Sequence, residues 1–243
     1  MRSLARRIPI RGYDVAVQSC GPLGCNLYAL TCLATREAAI IDPSFTNPAE
    51  YSLLQKYMEG TSVKQILLTH GHPDHVIGVA DCAQQWPDAT IALHPWEDEN
   101  YSEACHLGPF FGLNMPEKLP KPTCSLSDGD VIAVGSSIRL RVVHTPGHAP
   151  GHVAFVDEQD GSAVIWGGDL LFRGSVGRTD FPNASSEDLL VSLVRLYDLF
   201  ADESIVLSGH TTPTTLGTEE QFNVFVHKAL SMSKKGIVRG AEA

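Results

Sequence analysis

Three imidazoles and one carboxylate fall within six consecutive residues, His70-Gly71-His72-Pro73-Asp74-His75. They follow directly on the apolar run Gln65-Ile66-Leu67-Leu68-Thr69, which predicts a buried strand. Alternate residues of an extended chain project to the same side, so His70 and His72 share one side, while Asp74 and His75 fall where a helix should begin. Nitrogen donors combined with a hard oxygen suit Zn, Fe or Mn. The run therefore predicts a metal-binding turn.

Three further strand ends carry residues of the same chemical kind. His148 closes a Thr-Pro-Gly-His turn after an apolar strand, Asp169 follows a Gly-Gly pair, and His210 follows a Ser-Gly pair. Glycine and proline make tight loops, and ligands commonly lie on loops that a rigid sheet positions. We therefore expect four strand ends, each with one set of ligands, to form one rim of a layered structure.

Several other residues that could bind metal lie outside this set. A leftover histidine is more often a hydrogen-bonded structural or surface residue than a ligand, so no metal is assigned to five of them: His94, His106, His144, His152 and His227. The six cysteines are scattered and form no C-x-x-C pair. This spacing disfavours a zinc ribbon or a thioredoxin-like redox motif, and we interpret the cysteines as reduced intracellular thiols.

Short β-rich runs alternate with helical patterns along the whole chain, which predicts a layered α/β architecture in a single domain over residues 1–243. Asn47 followed by Pro48 predicts a helix start, and Ser185 predicts another. The second helix has an apolar stripe at three- and four-residue steps, so we expect it to pack on a sheet. The stretch from Leu107 to Ser127 is rich in glycine and proline, and it is a candidate active-site flap or a plain surface excursion.

The motifs H-x-H-x-D-H, T-P-G-H, G-G-D and S-G-H occur in this order, over a match from Val15 to Val226. This order resembles the metallo-β-lactamase superfamily, and more narrowly its glyoxalase II-like branch. The resemblance implies a four-layer αββα sandwich with two divalent metal ions, zinc first, with iron or manganese as alternatives. It further implies two ligand sets with one bridging carboxylate: His70, His72 and His148 for one metal, Asp74, His75 and His210 for the other, and Asp169 between them.

The chemistry expected of such a site is hydrolysis of a thioester. Two divalent metals about 3.5–4 Å apart lower the pKa of a bridging water, and the resulting hydroxide would attack the carbonyl. Asp74 is the expected catalytic residue, which orients the nucleophile and can receive its proton. The resemblance also suggests that Asp42 braces the metal loops. Arg178 and Asp180 could brace the site or hold a substrate carboxylate, and a local salt bridge explains them as well.

Two other functions compete with the hydrolase. A persulfide dioxygenase of the same fold would use mononuclear iron on His70, His148 and Asp169. A non-catalytic protein with a structural metal is the second alternative, but structural zinc sites are usually closed by four ligands rich in cysteine. Long glyoxalase II proteins carry a C-terminal helical domain that binds glutathione, whereas 33 residues follow His210 here. We therefore expect a small-molecule thioester substrate, with a glutathione conjugate as one candidate, and weak recognition of glutathione.

The charge balance disfavours nucleic acid as a partner. The formal net charge is -10, which repels polyanions and makes nucleic acid an unexpected ligand.

Apolar runs are far shorter than the ~20 residues that span a bilayer, so no membrane association is expected. We expect a cytoplasmic protein, although four arginines among the first eleven residues leave a mitochondrial or plastid location open. The pattern predicts no particular oligomeric state.

Overall fold

A computed structural model of the protein describes residues 6–10, 12–159 and 161–236. Their contacts divide the chain into two compact units. The first unit comprises the described residues up to Leu126 together with Ile132–Arg139, and the second comprises Ser127–Val131 with the described residues from Leu140 onward. The single domain remains a prediction.

The first unit contains a seven-stranded sheet whose strands follow one another in chain order. The strands are β1 (Arg6–Ile10), β2 (Tyr13–Cys20), β3 (Cys25–Cys32), β4 (Glu37–Ile41), β5 (Ser62–Leu67), β6 (Thr90–Leu93) and β7 (Cys124–Ser125). Neighbours from β1 to β4 pair antiparallel, and those from β4 to β7 pair parallel. The parallel half brings the carboxyl ends of β4, β5 and β6 to the same edge, so that the loops after them leave the sheet together.

Helices cover one face of this first sheet: α1 (Pro48–Tyr57), α2 (Pro73–Val76), α3 (Val79–Gln85) and α4 (Asp98–Leu107). Leu54 of α1, Val79 of α3 and Ala104 of α4 share one buried cluster with sheet residues such as Ile40 and Ile66. The predicted start of α1 is confirmed, because the Asn47 side chain accepts the backbone N–H groups of residues 49 and 50. Burial of these apolar side chains holds the helices against the sheet.

The second sheet has six strands in the order β15-β14-β11-β10-β9-β8. They are β8 (Val131–Val134), β9 (Ile138–His144), β10 (Val153–Gln159), β11 (Ser162–Gly168), β14 (Ile205–Ser208) and β15 (Thr214–Thr215). The short strands β12 (Leu171–Phe172) and β13 (Ser175–Val176) form a separate hairpin. Strands β11 and β14 are parallel, so Asp169 and His210 follow strand ends at the same edge.

Three helices belong to the second unit: α5 (Ser186–Leu199), α6 (Leu216–Phe222) and α7 (Val224–Lys234). The predicted stripe of α5 is confirmed, since Leu189, Leu193 and Leu196 are buried in one cluster with sheet residues. Ser185 caps the helix by accepting the backbone N–H of Asp188, as predicted. In the part of the chain that the structure describes, no helix has the length and apolar character needed to cross a membrane.

The stretch from Leu107 to Ser127 is more ordered than a plain loop. It begins with the last residue of α4, continues in a 3₁₀ turn at Gly108–Phe111, and includes β7 before it ends. Its role as an active-site flap remains a prediction.

Candidate metal centre

The His70–His75 turn begins three residues after β5 and runs into α2, whose first residue is Pro73. The 3₁₀ turn Pro95–Glu97 and the start of α4 fix its backbone. The N–H of Gly71 donates to the carboxylate of the fully buried Glu97 at 2.8 Å, and Asn100 donates to the same oxygen. A Cβ on residue 71 would lie 2.7 Å from the backbone nitrogen of Tyr101, so this close approach requires glycine.

The imidazoles of this turn are packed together. The ring centroid of His70 lies 4.6 Å from that of His72 and 4.1 Å from that of His75. Asp74 brings its Oδ2 to 3.8 Å from Nε2 of His75. The first unit therefore gathers the four predicted ligands of this turn, with His70 and His75 buried and His72 and Asp74 partly exposed.

Asp42 determines which ring nitrogens of this cluster carry protons. Its carboxylate accepts the hydroxyl of Thr69 at 2.7 Å and Nδ1–H of His75 at 2.9 Å. Because the Thr69 hydroxyl donates its proton to Asp42, the same oxygen can only accept from Nδ1 of His70, which lies 3.0 Å away. Both histidines thus keep Nδ1 protonated, and Nε2 is the atom that each can offer to a metal. This is the orientation that a bracing carboxylate produces.

Cys25 is a neighbour of this cluster that the sequence did not reveal. Its Sγ, a carboxylate oxygen of Asp74 and a ring nitrogen of His75 all lie within 4.8 Å of one another. Burial raises the pKa of the Cys25 thiol to about 12, and His75 opposes part of that rise. A single cysteine at the start of a strand carries no sequence signal for such a position, because only the fold brings it to the turn.

The second unit brings together the three ligands predicted for it. The Oδ2 atom of Asp169 lies 3.5 Å from Nε2 of His148 and 3.5 Å from Nε2 of His210. Nδ1–H of His148 donates to the backbone carbonyl of Arg178 at 2.7 Å, so its Nε2 is also the unprotonated nitrogen of a neutral ring. One carboxylate oxygen therefore lies at the same distance from two imidazole nitrogens.

Gly177 maintains this arrangement by having no side chain. A Cβ at this position would lie 1.9 Å from the backbone carbonyl oxygen of Asp169 and 3.1 Å from the His148 ring. The contact of 1.9 Å is far below van der Waals distance, so any other residue would displace Asp169 or the strand β13 that precedes Gly177.

Arg178 and Asp180 form an exposed bidentate ion pair, with nitrogen–oxygen distances of 2.5 and 2.6 Å. The hydrogen bond raises the pKa of Arg178 and lowers that of Asp180. The guanidinium also lies 4.6 Å from the ring centroid of Phe181, which packs edge-on against His148 at 5.9 Å. The predicted local salt bridge is therefore present. The predicted contact with a substrate carboxylate stays a prediction, and it concerns a guanidinium that is already paired with Asp180.

The donor chemistry of both units fits divalent metals. Neutral imidazoles with a defined unprotonated nitrogen, together with carboxylates, are ligands for zinc, iron and manganese. The sequence profile described as Metallo-beta-lactamase superfamily matches residues 20–210. The chain belongs to this superfamily. The predicted fold is thereby confirmed as a mixed α/β metallo-β-lactamase fold with sheets flanked by helices, and membership supports a metal-dependent hydrolase.

Individual relatives are similar over most of this chain. Hydroxyacylglutathione hydrolase GloC of Haemophilus influenzae is 32% identical over 194 residues, which cover 79% of this chain and 88% of GloC. Probable metallo-hydrolase YqgX of Bacillus subtilis is 32% identical over 209 residues, which cover 85% of this chain and 94% of YqgX. The crystal structure of TTHA1623 in a di-iron-bound form has 38% identity and a TM-score of 0.74, covering 86% of this chain and 98% of that one.

Proposed function

We propose that this protein is a binuclear metal-dependent hydrolase that cleaves thioesters, of the hydroxyacylglutathione hydrolase type. The observation that carries the proposal is the position of Asp169, whose single oxygen Oδ2 lies 3.5 Å from an imidazole nitrogen on either side. A carboxylate oxygen at equal distance from two imidazole nitrogens is placed to be shared between two sets of ligands.

The proposed ligand sets follow from the order of the motifs. His70, His72 and His148 would hold one metal, Asp74, His75 and His210 the other, and Asp169 would bridge them. Zinc is the first candidate because imidazole and carboxylate donors suit it. Iron is the second, since the similar TTHA1623 structure is described as di-iron-bound.

Bound divalent metals would polarise the thioester carbonyl and lower the pKa of a nearby water. The residues of this chain orient the metal ligands and the attacking water. Asp42 keeps His70 and His75 in the tautomer that leaves Nε2 unprotonated. The partly exposed carboxylate of Asp74 orients the attacking water and receives its proton. The thiolate of the product leaves without strong acid assistance, so the proposal needs no separate acid residue.

The thioester class is supported by GloC, a relative whose name states hydrolysis of hydroxyacylglutathione and which is similar over 88% of its own length. The rim residue Arg178 is a candidate contact for a carboxylate of the thiol part. Because Arg178 is paired with Asp180, this contact requires exchange of one carboxylate for another.

The test measures metal content and two reactions on one preparation. Metal is removed with a chelator and restored as zinc, iron(II) or manganese(II), and we expect about two equivalents to bind, as a shared carboxylate requires. Thiol release is followed with S-lactoylglutathione and with a thioester of a small thiol. Oxygen consumption is followed with glutathione persulfide. Hydrolysis predicts one thiol per thioester and no oxygen uptake.

Asp169→Asn and Asp198→Asn provide a matched pair of variants. Both remove one carboxylate from the same unit, but Asp198 is exposed on helix α5 and outside the proposed site. We expect Asp169→Asn to lose paired metal binding and turnover, whereas Asp198→Asn should keep both. Oxygen-dependent turnover of the persulfide with a single iron would contradict the hydrolase and favour a dioxygenase. Metal binding without either reaction would favour a non-catalytic protein.

A further inference from the structure

His152, a histidine to which the sequence analysis assigned no metal, is fully buried in the second unit. Its Nε2 accepts the backbone N–H of Asp169 at 3.0 Å. Its other ring nitrogen, Nδ1, lies 2.9 Å from the hydroxyl oxygen of Thr145. The same imidazole therefore contacts the strand end that carries the proposed bridging carboxylate and the start of the turn that carries His148.

The two contacts define one protonation pattern. A nitrogen that accepts from a backbone N–H has no proton of its own, so Nε2 of His152 is unprotonated. The proton of the neutral ring is then on Nδ1, which donates to Thr145. The lone pair of His152 is used by Asp169, which explains why this histidine is a support rather than a ligand.

Backbone hydrogen bonds complete the connection. The N–H of Thr145 donates to the carbonyl of His152 at 2.8 Å, and the N–H of His152 donates to the carbonyl of Ala149 at 3.3 Å. These bonds close the turn in which His148 lies. Because His152 closes this turn and also holds the amide of Asp169, its position affects the separation of 3.5 Å between Nε2 of His148 and Oδ2 of Asp169.

We propose that His152 is a positioning residue that sets Asp169 for its shared contact with two metals. This inference rests on the proposed function and adds to it a residue outside the ligand sets. Supports of this kind commonly change metal affinity by 10–100-fold when they are removed. If His152 only filled space, its position would instead accept any side chain of similar volume, whatever hydrogen bonds that side chain can form.

Five variants separate these two roles. His152→Leu keeps apolar volume and removes both hydrogen bonds, whereas His152→Gln can accept from Asp169 through its oxygen and donate to Thr145 through its nitrogen. Thr145→Val removes the acceptor that fixes the tautomer, and Thr145→Ser restores it. His144→Gln is the matched control, since His144 lies on the same segment but bonds the carbonyl of Pro150 and not Asp169.

The first measurement uses the metal-free protein. Nitrogen-15 NMR of the wild type should show His152 protonated at Nδ1, and the Asp169 amide should be protected from hydrogen exchange. Protection should fall at least tenfold in His152→Leu and Thr145→Val, and it should be retained in His152→Gln, Thr145→Ser and His144→Gln. A wild type protonated at Nε2, or equal protection in all variants, would overturn the inference. The two Thr145 variants keep the test usable if His152→Leu does not fold.

The second measurement counts bound metal and follows the spin coupling of a manganese(II) pair. His152→Leu should lose the coupled signal and bind the second equivalent at least tenfold more weakly, while His152→Gln should stay close to the wild type. Two coupled metals with unchanged affinity in His152→Leu would overturn the inference. A wild type that never binds a pair would instead overturn the proposed function, and the amide measurement would distinguish that failure from a failure of His152.

Discussion

A single substitution at Asp42 should affect two proposed metal ligands, His70 and His75. Replacement by Asn keeps the size of the side chain, and Asn tolerates the positive φ of 47° found here. Oδ2 of Asp42 accepts both the Thr69 hydroxyl and Nδ1–H of His75, and Oδ1 accepts the backbone N–H of Thr69, so an amide nitrogen in place of either oxygen would face a hydrogen-bond donor. We expect Asp42→Asn to weaken metal binding by about 10–100-fold.

Competition with a chromophoric chelator measures this loss of affinity directly. Asp88→Asn is the control, because it removes one exposed negative charge from the same unit. Equal metal affinity in Asp42→Asn and Asp88→Asn would show that the tautomers of His70 and His75 do not depend on this carboxylate.

The ligand residues could be predicted at this scale because their types and spacing are local. His70 to His75 occupy one run, and His148, Asp169 and His210 each follow a strand and a glycine. Glu97 and His152 could not be predicted, since their contacts with Gly71 and Asp169 cross 26 and 17 residues of chain. A histidine or glutamate without a neighbouring motif gives no sign of which backbone group it will meet.

Arg195 of helix α5 forms an ion pair with Asp128. Arg195 donates to Asp128 at 2.6 Å and to the carbonyl of His144 at 2.9 Å, and Asp128 also accepts the backbone N–H of His144. Partial burial alone would raise the pKa of Asp128, but these hydrogen bonds hold it below its ordinary value. Because the folded-state pKa is depressed, the pair contributes stability above about pH 4, the ordinary range of Asp.

Stability from this pair should be lost as the pH falls through the depressed pKa of Asp128. We expect Asp128→Asn to lower the free energy of unfolding by about 1 kcal/mol or less at pH 7, since the carboxylate is partly exposed. The difference from the wild type should shrink towards pH 3. Urea unfolding across this pH range tests the prediction, with the exposed Asp198→Asn on the same helix as the control. A difference that is constant with pH would exclude the ion pair as its cause.

Elements with a strong apolar stripe and a capping residue were predictable, whereas those held by polar contacts were not. Helix α5 has both features, with Ser185 at its start and Leu193 within its buried stripe. Helix α4 buries the polar Asn100 beside Tyr101 and Ala104, and its first turn is acidic. Asn100 is accommodated because it donates to Glu97, a partner that hydrophobic periodicity cannot reveal.

For the whole molecule, bound metal should add to folding stability, because the ligand clusters exist only in the folded chain. A ligand present at 100 times its dissociation constant stabilises the folded state by about 2.7 kcal/mol. For a chain of this size, each kcal/mol shifts the melting temperature by about 2–4 °C. We therefore expect chelation to lower the melting temperature by about 5–11 °C.

Differential scanning fluorimetry of the metal-loaded and chelated protein measures this shift, and restored zinc should reverse it. The same treatment of Asp169→Asn is the control, since this variant should have less bound metal to lose. An unchanged melting temperature after verified metal removal would contradict coupling between the ligand clusters and folding.

Gly177 has a consequence for how this sequence can change over evolutionary time. Every amino-acid replacement at the position adds a Cβ, which would lie 1.9 Å from the carbonyl oxygen of Asp169. The genetic code offers glycine only synonymous neighbours at the third base, and every missense change at the first or second base introduces a side chain. Neutral drift at residue 177 is therefore confined to silent codon exchange, whereas the exposed Arg178 beside it has many more conformationally acceptable alternatives.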